Sequence, residues 1–193
     1  MKKGNHEYAC CVRIKNMQEI LVNSTILDDM TNNFYITPKS LRHLERHFGE
    51  GKLAGSYFLR DTFESPADLL KYLENATQTS SVIQTSNTTI FNYSLTDGRM
   101  AGMVGIAKRN CISKQNLSRE IRDGITIDVG IVDELQLTPE FCIVARRTSK
   151  GSSIITAFPG GYARPFARNG QPSKEYSLNK LFWDEHALIR LKS

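Results

Sequence analysis

Apolar residues along this chain change period partway through. Leu41, Leu44 and Phe48 recur at helical spacing behind Thr37-Pro38, which supplies a capping hydroxyl and a proline at the first helical position. Gly49 to Gly51 stop that helix. Leu69, Leu70 and Leu73 form a second stripe behind Ser65-Pro66, ending near Asn75. A short β-type run, residues 8–14, precedes both helices. Residues 77–87 are polar and β-branched, a loop or the edge of a strand. Beyond them the pattern shortens to that of strands: 88–95, 99–107, 125–132, 141–148, 153–158 and 186–191. Thr96-Asp97-Gly98 predicts a hairpin between the first two of these, and Lys150-Gly151 predicts a tight antiparallel turn between 141–148 and 153–158. Helices early and an antiparallel meander late give the α+β class, with the helix near 38–48 packing on the sheet through Leu41, Leu44 and Phe48. The expected organisation is a single domain over 1–193, helical over about 25–76 and β-rich over about 88–193.

A chain of 193 residues, 40% hydrophobic and 23% charged, is long enough to bury a core without staples. No apolar run reaches the roughly 18 residues of a membrane span, and the opening MKKGNHEYACCVRIKN has no apolar stretch of signal-peptide length. A cytoplasmic protein with no membrane partner is therefore expected. Cys10, Cys11, Cys111 and Cys142 have no paired CxxC spacing and read as buried free thiols.

Charge sharpens the picture. Residues 141–193 carry nine Lys or Arg against three acids, a balance of +6, whereas the other 140 residues sum to −1. Such asymmetry points to a phosphate-bearing partner, nucleic acid above all. A solvated basic surface would carry the same count. No GxGxxG or GxxxxGK[ST] loop is present, so no nucleotide cofactor is expected.

Four histidines are available for chemistry. His6 lies in the N-terminal stretch. His43 and His47 are four apart on one helix, so their imidazoles share a face. That is also zinc spacing, but the segment is not HExxH and no third ligand is evident, so no metal is assigned. Two surface histidines would fit the same spacing. His186 enters the last strand, where a histidine serves packing or function. Arg146 and Arg147 are adjacent on a strand, so only one of them can look into a given cleft. Thr156 offers a hydroxyl at the end of its strand, and Phe158-Pro159-Gly160-Gly161-Tyr162 reads as a turn with exposed aromatics suited to stacking on bases. Together these groups suit RNA cleavage without metal. One histidine takes the 2′-hydroxyl proton, an acid protonates the leaving 5′-oxygen, and arginine holds the phosphoryl charge.

The segments His43-Leu44-Glu45-Arg46-His47 and Ile154-Ile155-Thr156-Ala157-Phe158-Pro159 resemble the barnase, EndoU, colicin D and RelE superfamily of metal-independent toxin ribonucleases. Trp183 to Leu188 resembles the last strand of some members. The resemblance spans residues 37–60 and 141–191 and leaves about 76–140 without a counterpart. It implies N-terminal helices packed on a twisted antiparallel β-sheet. It also implies His47 as general base or acid with Arg46 beside it, Arg146 or Arg147 as phosphate holder, and Thr156 as a site hydroxyl. His43 and His186 complete the candidate catalytic set, and Arg46, Arg147, Tyr162 and Arg164 the candidate substrate-binding set. The proton transfer is assigned to His47, beside the glycine break. The expected partners are RNA, with tRNA as one candidate, and a neutralising immunity or antitoxin protein. The rival expectation is a non-catalytic protein that binds nucleic acid or an acidic partner through the same basic sheet.

Overall fold

The computed structural model describes residues 34–48, 56–74, 79–84, 87–122 and 125–192. The expected strand at 8–14, the cysteines at 10 and 11, His6 and the glycine break at 49–51 lie outside these residues.

Strand dominates, and the strands form three sheets. The largest runs β1 (Phe34–Ile36), β11 (Gly151–Pro159), β10 (Glu140–Thr148), β4 (Thr88–Ser94) and β3 (Thr79–Gln84), in that spatial order. A second contains β6 (Ile106–Lys108), β12 (His186–Leu191), β8 (Ile125–Val132) and β7 (Leu117–Arg122). A small third sheet joins β2 (Tyr57–Phe58), β5 (Gly102–Met103) and β9 (Leu137–Thr138). The helices are α1 (Pro38–Leu44), α2 (Asp68–Glu74) and α3 (Ser173–Glu185). The mixed class is as expected, but a single antiparallel sheet is not what forms. Besides the separation into three sheets, β1 runs parallel to β11 and β12 runs parallel to β8.

Local chemistry explains the early elements. Thr37 Oγ1 accepts from the Ser40 backbone N–H at 3.1 Å and Pro38 opens α1, as the sequence indicates. The helix then tightens into a 3₁₀ turn at Glu45–His47. Leu44 and Phe48 are buried, whereas Leu41 is 39% exposed, which corrects its place in the packed stripe. At the head of α2, the Asp68 carboxylate accepts from the Ser65 backbone N–H at 2.9 Å, and Leu69 and Leu73 are buried behind it. These helical residues belong to one buried cluster with Phe91, Tyr93, Phe141, Ile143, Ala145, Ile154 and Ala157 of the large sheet. Burying one such side chain stabilises by about 1.5–3 kcal/mol.

The β10–β11 hairpin forms as expected, with Thr148 opposite Gly151 and Gly151 at φ 119, a conformation that favours glycine. The expected hairpin through Asp97-Gly98 does not form. Asp97 accepts from the Arg99 backbone N–H and Gly98 has φ 84, so a turn exists. Its flanks diverge, however: β4 pairs with β3 and β10, while β5 pairs with β2 and β9. Residues 79–84 form the edge strand of the large sheet rather than a loop.

Of the stretch Trp183 to Leu188, the first three residues end helix α3, and the last strand begins only at His186. Cys142 is a buried free thiol, and burial pushes its pKa far up. Cys111 departs from the free-thiol expectation: it is disulfide-bonded. Among the described residues no helix is long and apolar enough to cross a membrane.

Candidate active site

Both walls of one cleft, about 640 Å³ in volume, come from different parts of the chain. The first wall is the large sheet, with the end of α1 above it. The second is the 160–171 loop, one face of α3, and the edge of the second sheet at Val104–Ile106, His186 and Leu188.

On the first wall, the sheet faces are set by alternation until an irregularity intervenes. Ile143 and Ala145 of β10 point into the large core cluster, whereas Cys142 and Val144 point to the other side. Ala145 is opposite Ile154 and Val144 is opposite Thr156, so Ile155 is an extra residue in β11. A bulge of this kind re-aims the side chains that follow it. Strict alternation would put Ile154 and Thr156 on one face. The bulge instead sends Ile154 into the core and turns Thr156 toward the cleft.

There Thr156 Oγ1 lies 3.0 Å from His43 Nε2. His47 follows one turn later, its ring centroid 5.4 Å from that of His43 and edge-on to it. The His47 Nδ1 is 3.3 Å from the Ser56 carbonyl oxygen. A carbonyl can only accept, so Nδ1 carries the proton and Nε2 of the neutral ring presents a lone pair. Burial lowers the pKa of both histidines, and the nearby Arg46 guanidinium lowers it further; for His47, the His43 charge adds to the effect and the Ser56 hydrogen bond opposes it. Both imidazoles are thus held toward the neutral form.

Arg146, opposite Thr88 on β4, lines the cleft and makes no ion pair among the described residues. Arg147 alternates to the other side and does not line it, which settles which of the two arginines faces the cleft. Arg46 also lies outside the cleft lining, acting on the histidines only through its charge. Tyr162 and Arg164 do line it. Tyr162 and Phe158 are part-buried rather than the exposed aromatics anticipated, and burial raises the Tyr162 pKa, so its hydroxyl keeps its proton.

His186 is on the opposite wall, only 4% exposed. Its Nδ1 is 2.8 Å from the Phe182 carbonyl oxygen and its ring stacks on that of Phe182 at 4.1 Å. His43, His47, Thr156, Arg146, Tyr162, Arg164 and His186 therefore share one cleft, with Tyr162, Arg164 and His186 across from the other four.

Sequence reasoning missed Ser56 and the whole contribution of α3. Glu175, Asn179, Phe182 and Trp183 recur at helical spacing and all face the cleft. The signal was masked because this helix is inverted: Asn179 is buried while Leu178 and Leu181 are 38% and 58% exposed. Among the described residues no group of three His, Cys, Asp or Glu is placed to hold a metal ion. No protein-family model, curated protein or solved structure matches the chain.

Proposed function

We propose that the chain is an endoribonuclease that cleaves RNA by general acid–base catalysis. The observation that carries this reading is the convergence of His43, His47, Thr156 and Arg146 on one cleft, with His43 and Thr156 in hydrogen-bond contact. His47, whose Nε2 lone pair is left open by the Nδ1 contact with Ser56, takes the proton of the ribose 2′-hydroxyl. The 2′-oxygen then bonds to phosphorus and the bond from phosphorus to the 5′-oxygen breaks. His43, the more exposed imidazole, gives a proton to that leaving oxygen when it is itself protonated. The products are a 2′,3′-cyclic phosphate and a 5′-hydroxyl. Thr156 fixes the Nε2 edge of His43, and Arg146 holds the phosphoryl charge, its planar fork suited to two oxygens.

This reading keeps the likeness to metal-independent toxin ribonucleases, helices packed on a twisted sheet included, and with it cytoplasmic RNA as target and a neutralising antitoxin or immunity protein as partner. Incubating the protein with total RNA in EDTA tests it. Cleavage to cyclic-phosphate ends is expected, and intact RNA overturns it.

A second reading has its own support. Arg146, Arg147 and Lys150 are exposed along the β10–β11 hairpin and make no ion pair among the described residues. They could bind a polyanion without chemistry, which would appear as a gel shift with no cleavage.

A further inference from the structure

The α3 side of the cleft contains a polar group that the proton transfers leave unused. His186 Nδ1 is committed to the Phe182 carbonyl, and Nε2, with almost no contact with solvent, has no hydrogen-bond partner. A buried acceptor without a donor costs about 1–3 kcal/mol. A packing histidine has no need to carry that cost, since an apolar side chain would fill the same space. Asn179, also 4% exposed, lines the same wall, and its Nδ2 reaches only a long 3.5 Å contact with Gln171 Oε1. Flat aromatic rings accompany them. Trp183 packs on Phe166 at 4.5 Å, and Tyr162 lines the cleft from the same wall. The inverted polarity of α3 has the same effect: it buries Asn179 and leaves leucines in solvent.

We infer that this wall is a nucleobase subsite, in which His186 Nε2 accepts a hydrogen bond from an N–H on the edge of the base. The inference rests on the ribonuclease reading and names what that site selects. Phosphate is held at the Arg146 end, and the base enters between aromatic faces at the α3 end, as bases do on other single-strand readers. In the neutral imidazole, Nε2 can only accept once Nδ1 donates. It therefore rewards an edge that presents a donor and leaves one without a donor unsatisfied. His186 is here a specificity residue and transfers no proton.

The test is calorimetric binding of nucleoside 3′-monophosphates to the full chain, each beside a counterpart whose edge N–H is deleted or methylated. The pairs are adenosine and purine riboside, cytidine and pyrimidin-2-one riboside, uridine and 3-methyluridine, guanosine and 1-methylguanosine. At least one pair is expected to differ by about tenfold, the effect of a hydrogen bond of roughly 1.4 kcal/mol. His186→Phe keeps the ring and removes the acceptor, and is expected to bring that ratio close to one. Equal binding within every pair overturns the inference, as does the absence of saturable binding. A ratio retained by a folded His186→Phe overturns it too, and the wild-type pairs decide alone if that variant does not fold. Selective binding without RNA cleavage would remove the ribonuclease reading and leave the subsite. Cleavage with equal binding in every pair would do the reverse.

Discussion

Thr156 Oγ1 and His43 Nε2 stand 3.0 Å apart although 113 residues separate them in the chain. The contact joins α1 to the bulged strand β11, and either atom can donate. With His43 neutral and its proton on Nδ1, the threonine hydroxyl donates to Nε2. Once His43 is protonated, Nε2–H donates and the hydroxyl is released toward a substrate oxygen. Thr156→Val keeps the shape and removes this contact. It is expected to slow RNA cleavage roughly tenfold to a hundredfold, as loss of a hydrogen bond worth about 1.4–3 kcal/mol does, whereas Thr156→Ser should retain most activity. Single-turnover cleavage rates decide, and a valine variant at the wild-type rate would remove Thr156 from the site.

The two histidines separate by environment. His43 is exposed, whereas His47 is part-buried against Ser56. His47→Ala is expected to lose about 10²–10⁴-fold in cleavage, the usual contribution of a general base, with RNA affinity nearly unchanged. His43→Ala is expected to lose activity without the loss of melting temperature that a packed mid-helix residue would cause. Thermal melts beside cleavage rates test both halves of the statement.

Acidity should act on activity and on stability in opposite directions. Both histidine pKa values are lowered in the folded protein. Near neutral pH the base is ready and the protonated acid is scarce, so kcat/KM should rise on mild acidification and fall once His47 also protonates. A bell with its maximum below pH 7 is the expected profile. For stability, a folded pKa below the unfolded value of about 6.5 means the unfolded chain binds more protons in the window between them. This contribution is fully present above about 6.5 and is lost as pH falls toward the lowered folded values. Melting temperature should drop across that window in the wild type, and less steeply in His47→Ala.

Arg146 and Arg147 offer a paired control for the basic surface. Only Arg146 lines the cleft. Arg146→Ala should flatten the plot of log affinity for RNA against log salt by about one unit, the signature of one lost phosphate contact, while Arg147→Ala should leave the slope almost unchanged. Equal effects from the two would mean that RNA lies along the hairpin rather than in the cleft.

Cys142 sits under the cleft with Val144 and Ile90. Full burial and the raised pKa keep its thiol protonated and inaccessible. It should resist thiol reagents in the native protein and react on unfolding, which mass spectrometry after pulse labelling would register.

What the sequence made legible was local. The Thr37-Pro38 cap, the Lys150-Gly151 turn and the strand from His186 each follow from chemistry within a few residues, and all three are found. The pairing of His43 with His47 on one face followed from helical spacing. Partnership between distant strands was not legible. Asp97-Gly98 makes its turn, yet the strands on either side join different sheets, because pairing is decided by what each can bury. Helix α3 was hidden by its reversed polarity, and the orientation of Thr156 by the extra residue at Ile155, which no alternation rule anticipates.

The division of the cleft between two distant stretches of chain has a consequence during synthesis. One wall is complete once β11 has been made, but the other needs the loop at 160–171, α3 and Leu188. A ribosome must translate past Leu188, and that stretch must clear the exit tunnel, before the two walls can meet. Until then a nascent chain holds its two histidines over an open sheet with nothing opposite to seat a base. On the ribonuclease reading, a chain still being made would carry its proton-transfer groups before it carried the wall proposed to seat a base.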